Sequence, residues 1–268
     1  MESSIKLTTD RLLFNVHESI ATLTFNDPEH LNPIDVDVMK DIGRCISYTE
    51  ECDDIKVLVL RGAGGNFSAG GNVRGMKKRI EKGINSTRSG IRGGGETIMR
   101  LRTLPKPTIA YVEGAVAGAG MSLMMACDFS IVDEKAKMVF AFVNIGFVPD
   151  GGITYMLTKA VGTVRATELL LSGEKFTGEQ AANWGIVTKS VPHDQLETTV
   201  NDYAKKYSSG PSIAYAQIKK LINDTCYRDI NACMQNEVVA QYICSCTYDH
   251  KEAIDAFIEK RKPQFLGK

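Results

Sequence analysis

Residues Val112–Thr154 read VEGAVAGAGMSLMMACDFSIVDEKAKMVFAFVNIGFVPDGGIT, and this stretch decides the fold. Its Gly- and Ala-rich turn, Glu113–Gly120, precedes an apolar run that predicts a helix over Met121–Cys127 and a strand over Phe129–Val132. Glycine lets main-chain N–H groups approach a ligand closely, and a helix N-terminus directs positive charge to the same place. The loop that follows carries one carboxylate, Asp150, in an otherwise apolar run. The stretch therefore predicts a proton-transfer site, with an anion-stabilising amide pocket beside a single acid.

Strands and helices alternate on both sides of this stretch up to about residue 192, and only helical periodicity follows. This order predicts an α/β core over residues 1–194 and a helical region over residues 195–268. A polar, Gly-rich segment, Lys77–Gly95, is predicted to be a mobile cover over the site. The other predicted elements are strands at 12–17, 20–25, 57–60, 108–112 and 186–190, and helices at 34–48, 97–104, 153–161, 165–171, 177–184, 213–226, 236–245 and 251–260.

The helical region carries an apolar stripe. Val239 and Ile243 lie four residues apart on one face of a predicted helix, with apolar neighbours on either side. Two interpretations stay open: the stripe mediates oligomerisation, or it folds back on the core of its own chain.

Composition narrows the possible functions. The chain has 268 residues, of which 43% are apolar, and its formal net charge is zero, which argues against a nucleic-acid or membrane partner. Met1–Asp10 lacks the apolar core of a signal peptide, so we expect a cytoplasmic protein. The seven cysteines are predicted to be reduced thiols. No His/Cys cluster has zinc spacing, so no metal is expected.

A second Gly-rich turn, Phe67–Asn72, also follows a predicted strand. The two turns can direct amides to one point, and the predicted donors are the N–H groups of Gly71 and Ala119. Loss of one donor from such an oxyanion hole typically costs about 3–4 kcal/mol of transition-state stabilisation. The alternative is that the glycines only permit tight turns.

Other motifs are weaker. Gly118-Ala119-Gly120 matches half of a dinucleotide-binding fingerprint, but the third glycine position holds Leu123. The histidines fall in loops or at helix ends without a plausible catalytic partner and are predicted to lie on the surface; they are His17, His30, His193 and His250.

Several short motifs follow one another along nearly the whole chain. They are Phe67-Ser68-Ala69-Gly70-Gly71-Asn72, Pro107-Thr108-Ile109-Ala110-x-Val112-x-Gly114-x-x-x-Gly118-x-Gly120, Cys127-Asp128, Ser172-Gly173-Glu174, Ala181-x-x-Trp184-Gly185-Ile186-Val187 and Phe257-Ile258-Glu259-Lys260-Arg261. Together and in this order, these motifs resemble the enoyl-CoA hydratase/isomerase (crotonase) family. The resemblance implies a spiral of ββα turns with a C-terminal α-helical trimerisation domain. It implies that the substrate is an acyl-CoA thioester, with no other cofactor, and that Gly71 and Ala119 bind the thioester oxygen.

Departures from the family pattern bear on the activity. The two glutamates of the family's hydratases correspond to Ser122 and Phe142, and neither side chain can act as a general base. Asp150 instead matches the carboxylate of the family's isomerases, so the resemblance implies an isomerase with one acid–base group. Burial among aromatic residues is expected to raise the pKa of Asp150. Spacing alone favours a helix N-cap role for Asp150, and the family resemblance reverses this preference. Glu96 is a candidate second base.

The resemblance also implies substrate contacts and an assembly. The expected assembly is a homotrimer or a dimer of trimers, in which Phe257 and Lys260 reach a neighbouring subunit's nucleotide. The expected substrate-binding residues are His30, Leu31, Ser68, Ala69, Phe140, Phe142, Phe257 and Lys260.

Three alternatives remain. A dehalogenase of this fold uses an aspartate at the position of Asp150, but it also needs a histidine where this chain has none between residues 31 and 192. A decarboxylase or other enolate chemistry would use the same oxyanion hole. A member without catalytic activity would bind acyl-CoA or RNA.

Overall fold

The computed structural model describes residues 5–268. Residues 1–4, the start of the predicted core and of the segment that lacks a signal-peptide pattern, lie outside the described residues. The strands are β1 (Leu12–His17), β2 (Ile20–Phe25), β3 (Val57–Gly62), β4 (Thr108–Val112), β5 (Ala115–Ala117), β6 (Phe129–Asp133), β7 (Lys137–Val139), β8 (Lys175–Thr177) and β9 (Lys189–Val191). The helices are α1 (Val36–Glu51), α2 (Val73–Glu81), α3 (Arg88–Thr103), α4 (Ala119–Ala126), α5 (Ile153–Ser172), α6 (Gly178–Trp184), α7 (His193–Ser208), α8 (Ser212–Cys226), α9 (Ile230–Ser245) and α10 (Tyr248–Glu259).

Two sheets form the core. The larger has the order β1-β2-β3-β4-β6-β9, with β1 and β2 antiparallel and the remaining pairs parallel. The smaller has the order β5-β7-β8. Strand β3 is buried along Val57–Leu60 because helices cover both of its faces, as parallel strands require. The predicted α/β core followed by helices is confirmed.

The segment predicted to be mobile is mostly helical. Residues 77–95 contain the end of α2 and the first half of α3. Thr87 caps α3 by accepting from the Gly90 N–H at 3.1 Å, and Lys77 pairs with Asp255 of α10. Gly95 lies so close to Met234 of α9 that a Cβ there would be 2.8 Å from the methionine methyl carbon. Tertiary packing therefore overrides the low helix propensity of the glycines.

The C-terminal helices pack on the core of their own chain. Helix α7 covers one face of the larger sheet through Leu196 and Val200, and α9 packs against α3 and α5. Val238 of α9 is buried, whereas Val239 and Ile243 stay exposed. Part of the apolar surface of α9 thus packs on the core of the chain, whereas the stripe of Val239 and Ile243 remains exposed. No helix within residues 5–268 is long and apolar enough to cross a membrane.

Candidate active site

The two Gly-rich turns lie side by side. The Ala117 N–H donates to the Ser68 carbonyl oxygen at 2.9 Å, and Ser68 pairs with Val116 in an isolated parallel bridge. A Cβ at Gly70 would lie 2.6 Å from the Ala117 carbonyl oxygen, and one at Gly120 would lie 2.9 Å from that of Ser68. Glycine is therefore required where the turns touch.

The turns leave two amides available. Within residues 5–268, the N–H groups of Gly71 and Ala119 donate to no protein group. Ala119 is the first residue of α4, whose first-turn N–H groups have no intrahelical acceptor. Gly118 precedes it at φ 46° and ψ −118°, and Gly70 precedes Gly71 at φ 88°. These conformations orient the two predicted donors, and their role at an oxyanion stays a prediction.

Asp150 lies in the loop before α5, next to α4. The Ser122 hydroxyl of α4 donates to the Asp150 carbonyl oxygen at 3.1 Å, which anchors the loop. Ser122 is fully buried, and it is one of the two residues that the sequence resemblance matches to a hydratase glutamate. At this position the side chain therefore holds the loop that carries Asp150.

Asp150 does not cap α5, because Glu237 does. The Gly152 N–H donates to Glu237 Oε2 at 2.7 Å, and the Thr154 N–H donates to Oε1 at 3.2 Å. Glu237 belongs to α9 and is buried. Glu237 thus accepts the hydrogen bonds of the N–H groups at the start of α5. The Asp150 carboxylate is therefore not used as a helix cap.

A second α9 side chain contacts Asp150 directly. Gln241 lies one helical turn beyond Glu237, and its Nε2 donates to Asp150 Oδ2 at 3.3 Å. Neither Glu237 nor Gln241 was predicted as a site residue. Spacing four apart on a helix was the only sequence signal, and it is common to solvated helix faces.

The surroundings make Asp150 unusually basic for an aspartate. Burial raises the pKa of Asp150 to about 7, and the nearby negative charge of Glu237 acts in the same direction. The hydrogen bond from Gln241 opposes the rise because it favours the ionised form. This confirms the predicted direction, although α9 side chains are involved where aromatic residues were expected. A carboxyl group with a pKa near neutrality can both take and return a proton.

A cavity of about 480 Å³ opens beside Asp150. Its walls come from α3 and α9 and from the Asp150 loop, and neither Gly71 nor Ala119 lines it. Glu96, the candidate second base, is in the wall. The lining residues are Ile91, Arg92, Gly95, Glu96, Asp150, Gly151, Asn231, Met234, Gln235, Glu237 and Val238.

Some predicted substrate contacts lie together at the Gly-rich turn Phe67–Asn72. The Ala69 N–H donates to the Leu31 carbonyl oxygen at 2.8 Å, so the exposed residues His30, Leu31 and Ala69 lie on one surface. His30 Nδ1 also lies 2.8 Å from Asp27 Oδ1. These three residues stay predicted contacts.

Other predicted contacts belong to the protein interior. Phe140 has no exposed surface and packs against Phe176 at 5.7 Å between ring centroids. Ser68 is also fully buried, and its hydroxyl donates to the Asn32 carbonyl oxygen at 2.7 Å. Phe142 is 6% exposed and does not line the cavity. We correct the assignment of Phe140 and Ser68: they hold the core and the first turn, because neither side chain has surface to offer a ligand.

Phe257 and Lys260 lie apart from the turns. Both are exposed, Phe257 near the end of α10 and Lys260 just after it. Their proposed contact is with a neighbouring subunit, and it stays a prediction.

His250 is not a surface residue, contrary to the prediction. It is 3% exposed, its ring stacks on Phe147 at 3.8 Å, and its Nδ1 lies 2.7 Å from the Ile145 carbonyl oxygen. Position at a helix end did not predict this, because the start of α10 is itself covered by the loop at Phe147.

The model of a known family matches residues 15–268, and its description is enoyl-CoA hydratase/isomerase. The chain belongs to the enoyl-CoA hydratase/isomerase family. A solved family structure, an enoyl-CoA hydratase from Mycobacterium avium subsp. paratuberculosis, superposes with a TM-score of 0.88 at 30% identity and covers 96% of this chain and 98% of its own. The fold is therefore the crotonase fold.

Relatives in the family carry different activities. Trans-2-decenoyl-acyl-carrier-protein isomerase from Streptococcus mutans and 1,2-epoxyphenylacetyl-CoA isomerase from Escherichia coli are each 32% identical over 260 residues, covering 96% of this chain and 98% of theirs. A short-chain-enoyl-CoA hydratase from Clostridium acetobutylicum is 32% identical over 244 residues, covering 91% of this chain and 92% of its own. Membership of the family alone leaves the reaction undecided.

Proposed function

We propose that this protein is an enoyl-CoA isomerase that moves a double bond along an acyl-CoA thioester with Asp150 as its only acid–base group. The observation that carries the proposal is the carboxyl group of Asp150, which caps no helix, has a pKa of about 7 and lies at the wall of a cavity. The positions of the two hydratase glutamates hold Ser122 and Phe142, which supports one carboxylate in place of two. The isomerase names of two relatives point the same way.

The reaction needs one base and one stabilised anion. Asp150 takes a proton from the carbon next to the thioester of a 3-enoyl group, and the electron pair of that C–H bond passes into the carbonyl oxygen. The N–H groups of Gly71 and Ala119 donate to the resulting enolate oxygen. Asp150 then returns the proton to the carbon at the far end of the conjugated system. The double bond moves one position, and no water is consumed.

The substrate is proposed to extend from the two Gly-rich turns, with the Gly71 and Ala119 amides, to the cavity beside Asp150. The pantetheine and adenine parts would lie along His30, Leu31 and Ala69, and the nucleotide would also meet Phe257 and Lys260 of a neighbouring subunit in a trimer. The acyl group would extend from the turns toward α3 and α9. Coenzyme A would then be part of the substrate, and the chemistry would need no separate cofactor.

A hydratase is the second candidate, because Glu96 and Asp150 share one cavity. Two carboxyl groups can hold a water molecule between them and divide the roles of general base and general acid in its addition.

Product analysis in deuterated water separates the two. The purified protein is incubated with 3-hexenoyl-CoA and with 2-hexenoyl-CoA, and products and label positions are followed by mass spectrometry. We expect interconversion of the two enoyl thioesters and little 3-hydroxyhexanoyl-CoA, with turnover lost in Asp150→Asn. Hydration as fast as isomerisation would contradict the proposal.

A further inference from the structure

Gln241 has an incomplete set of hydrogen bonds. It is 4% exposed, and its Nε2 donates to Asp150 Oδ2 at 3.3 Å. Its Oε1 is buried and has no hydrogen-bond partner in the part of the chain that the structure describes. The contact with Asp150 is therefore the only polar contact that the structure gives this amide.

This arrangement is unfavourable for stability taken alone. A buried amide oxygen without a donor keeps its desolvation penalty, which an apolar side chain of the same length would avoid. A role in stability therefore does not explain why residue 241 carries an amide group. The hydrogen bond from this amide to Asp150 does explain it.

We propose that Gln241 is a positioning residue that directs the mobile proton to Oδ1 of Asp150. The proposal rests on the isomerase function proposed above. A hydrogen-bond donor on Oδ2 lowers the proton affinity of that oxygen, so a proton taken from the substrate resides on Oδ1. The same Oδ1 then takes the proton from the carbon next to the thioester and returns it to the carbon at the far end of the conjugated system. The amide also favours the ionised form of Asp150 before the proton is taken.

The neighbouring charges do not supply this function. The charged side chains around the cavity, besides Asp150, are Arg92 and Glu96 of α3 and Glu237 of α9. Glu237 is committed to the start of α5, and its charge disfavours the ionised form of Asp150. Ser122 of α4 donates to the main chain of Asp150. Among the described residues, Gln241 is thus the donor to the Asp150 carboxylate.

The test is Gln241→Met, which keeps the length of the side chain and removes both ends of the amide. With 3-hexenoyl-CoA, we expect kcat to fall about tenfold or more and the acid limb of kcat/KM to move upward by about one pH unit, since a donor to the carboxylate is lost. The melting temperature should stay equal or rise, because the unpartnered oxygen is lost as well. Gln195→Met, on the exposed face of α7, is the matched control and should change none of these.

A purely structural residue would give the opposite pattern. A lower melting temperature with an unmoved acid limb would overturn the proposal, and so would a variant indistinguishable from wild type. Gln241→Glu is the second variant should the methionine protein not fold. It replaces the N–H donor with a like charge, so the acid limb should move upward further.

A readout without turnover keeps the two proposals distinguishable. The Asp150 carboxyl carbon is followed by ¹³C NMR in protein labelled at aspartate, and its titration is compared in wild type and Gln241→Met. An upward displacement of this titration supports the contact even if the wild type does not isomerise 3-hexenoyl-CoA, which would contradict only the isomerase proposal. An unmoved titration contradicts the role of Gln241.

Discussion

The two sides of the candidate site are built from different parts of the chain and from different chemical groups. One side consists of main-chain amides, Gly71 and Ala119, held by touching turns of the α/β core. The other consists of side chains, with Asp150 supported by Glu237 and Gln241 of α9. The first side depends on backbone conformation and tolerates changes of side chain. The second depends on charge and burial, and single substitutions on α9 can change its basicity.

This difference explains how one fold supports several reactions. An amide pair stabilises the enolate of any acyl thioester, whatever happens next. The number and basicity of the carboxyl groups then select proton transfer, hydration or another step. Under the proposed function, the helical region would take part in that selection, because it supplies Gln241 and the negative charge of Glu237 near the Asp150 carboxyl group.

The largest expected effect is loss of the acid–base group. Asp150→Asn should lower kcat for 3-hexenoyl-CoA about 1,000-fold, within the usual range for removal of a general acid–base, while CoA-ligand affinity changes little. Glu96→Gln, another carboxyl group lining the same cavity, is the matched control and should retain turnover within about threefold of wild type. Equal losses in both variants would indicate a two-carboxylate site and break the proposed contrast between the sides. Steady-state kinetics and ligand titration provide the two measurements.

The amide side should respond to backbone changes only. Gly118→Ala places a Cβ where no atom lies within 4 Å, so its effect must come from the positive φ, at a strain of about 1–3 kcal/mol. The peptide between residues 118 and 119 carries the proposed donor, and its rotation should lower kcat/KM about 10- to 100-fold. Ala119→Gly keeps the N–H group and should stay within a few-fold of wild type. The reverse order of the two variants would show that residue 119 acts through its side chain.

Much of the fold and half of the site could be predicted from the sequence. The amide turns and Asp150 lie in continuous motifs whose glycines have a local conformational reason. Glu237 and Gln241 could not be found in this way, because their roles exist only once α9 packs against α3 and α5. The same packing makes α3 a helix despite Gly93, Gly94 and Gly95. The buried His250 likewise depends on contacts between distant segments.

A smaller effect is expected when the charge of Glu237 is removed. Glu237→Gln keeps an oxygen that can accept from one of the two α5 amides but removes the negative charge that raises the pKa of Asp150. The acid limb of kcat/KM should therefore move downward, by about half a pH unit to one unit. This is opposite to the shift expected for Gln241→Met. Shifts of the same sign in both variants would contradict the assigned contacts.

The remaining expected effect concerns stability. The pKa of Asp150 is about 7 in the folded protein and near its ordinary value of 3.8 when unfolded, so the folded state binds more protons between these values. The free energy of unfolding should accordingly fall as the pH rises from about 4 to about 7. Asp150→Asn removes this fall and should be more stable than wild type at pH 8 by about 4 kcal/mol. Urea unfolding at pH 5 and pH 8 measures the difference, and parallel curves for the two proteins would contradict it.

A crystal structure of Asp150→Asn with bound 3-hexenoyl-CoA tests most directly whether the two sides act on one substrate. We expect the thioester oxygen within about 3 Å of the amide nitrogens of Gly71 and Ala119, with the second and fourth acyl carbons against the side chain at position 150. An acyl group that leaves the turns in another direction, away from α9, would contradict the account.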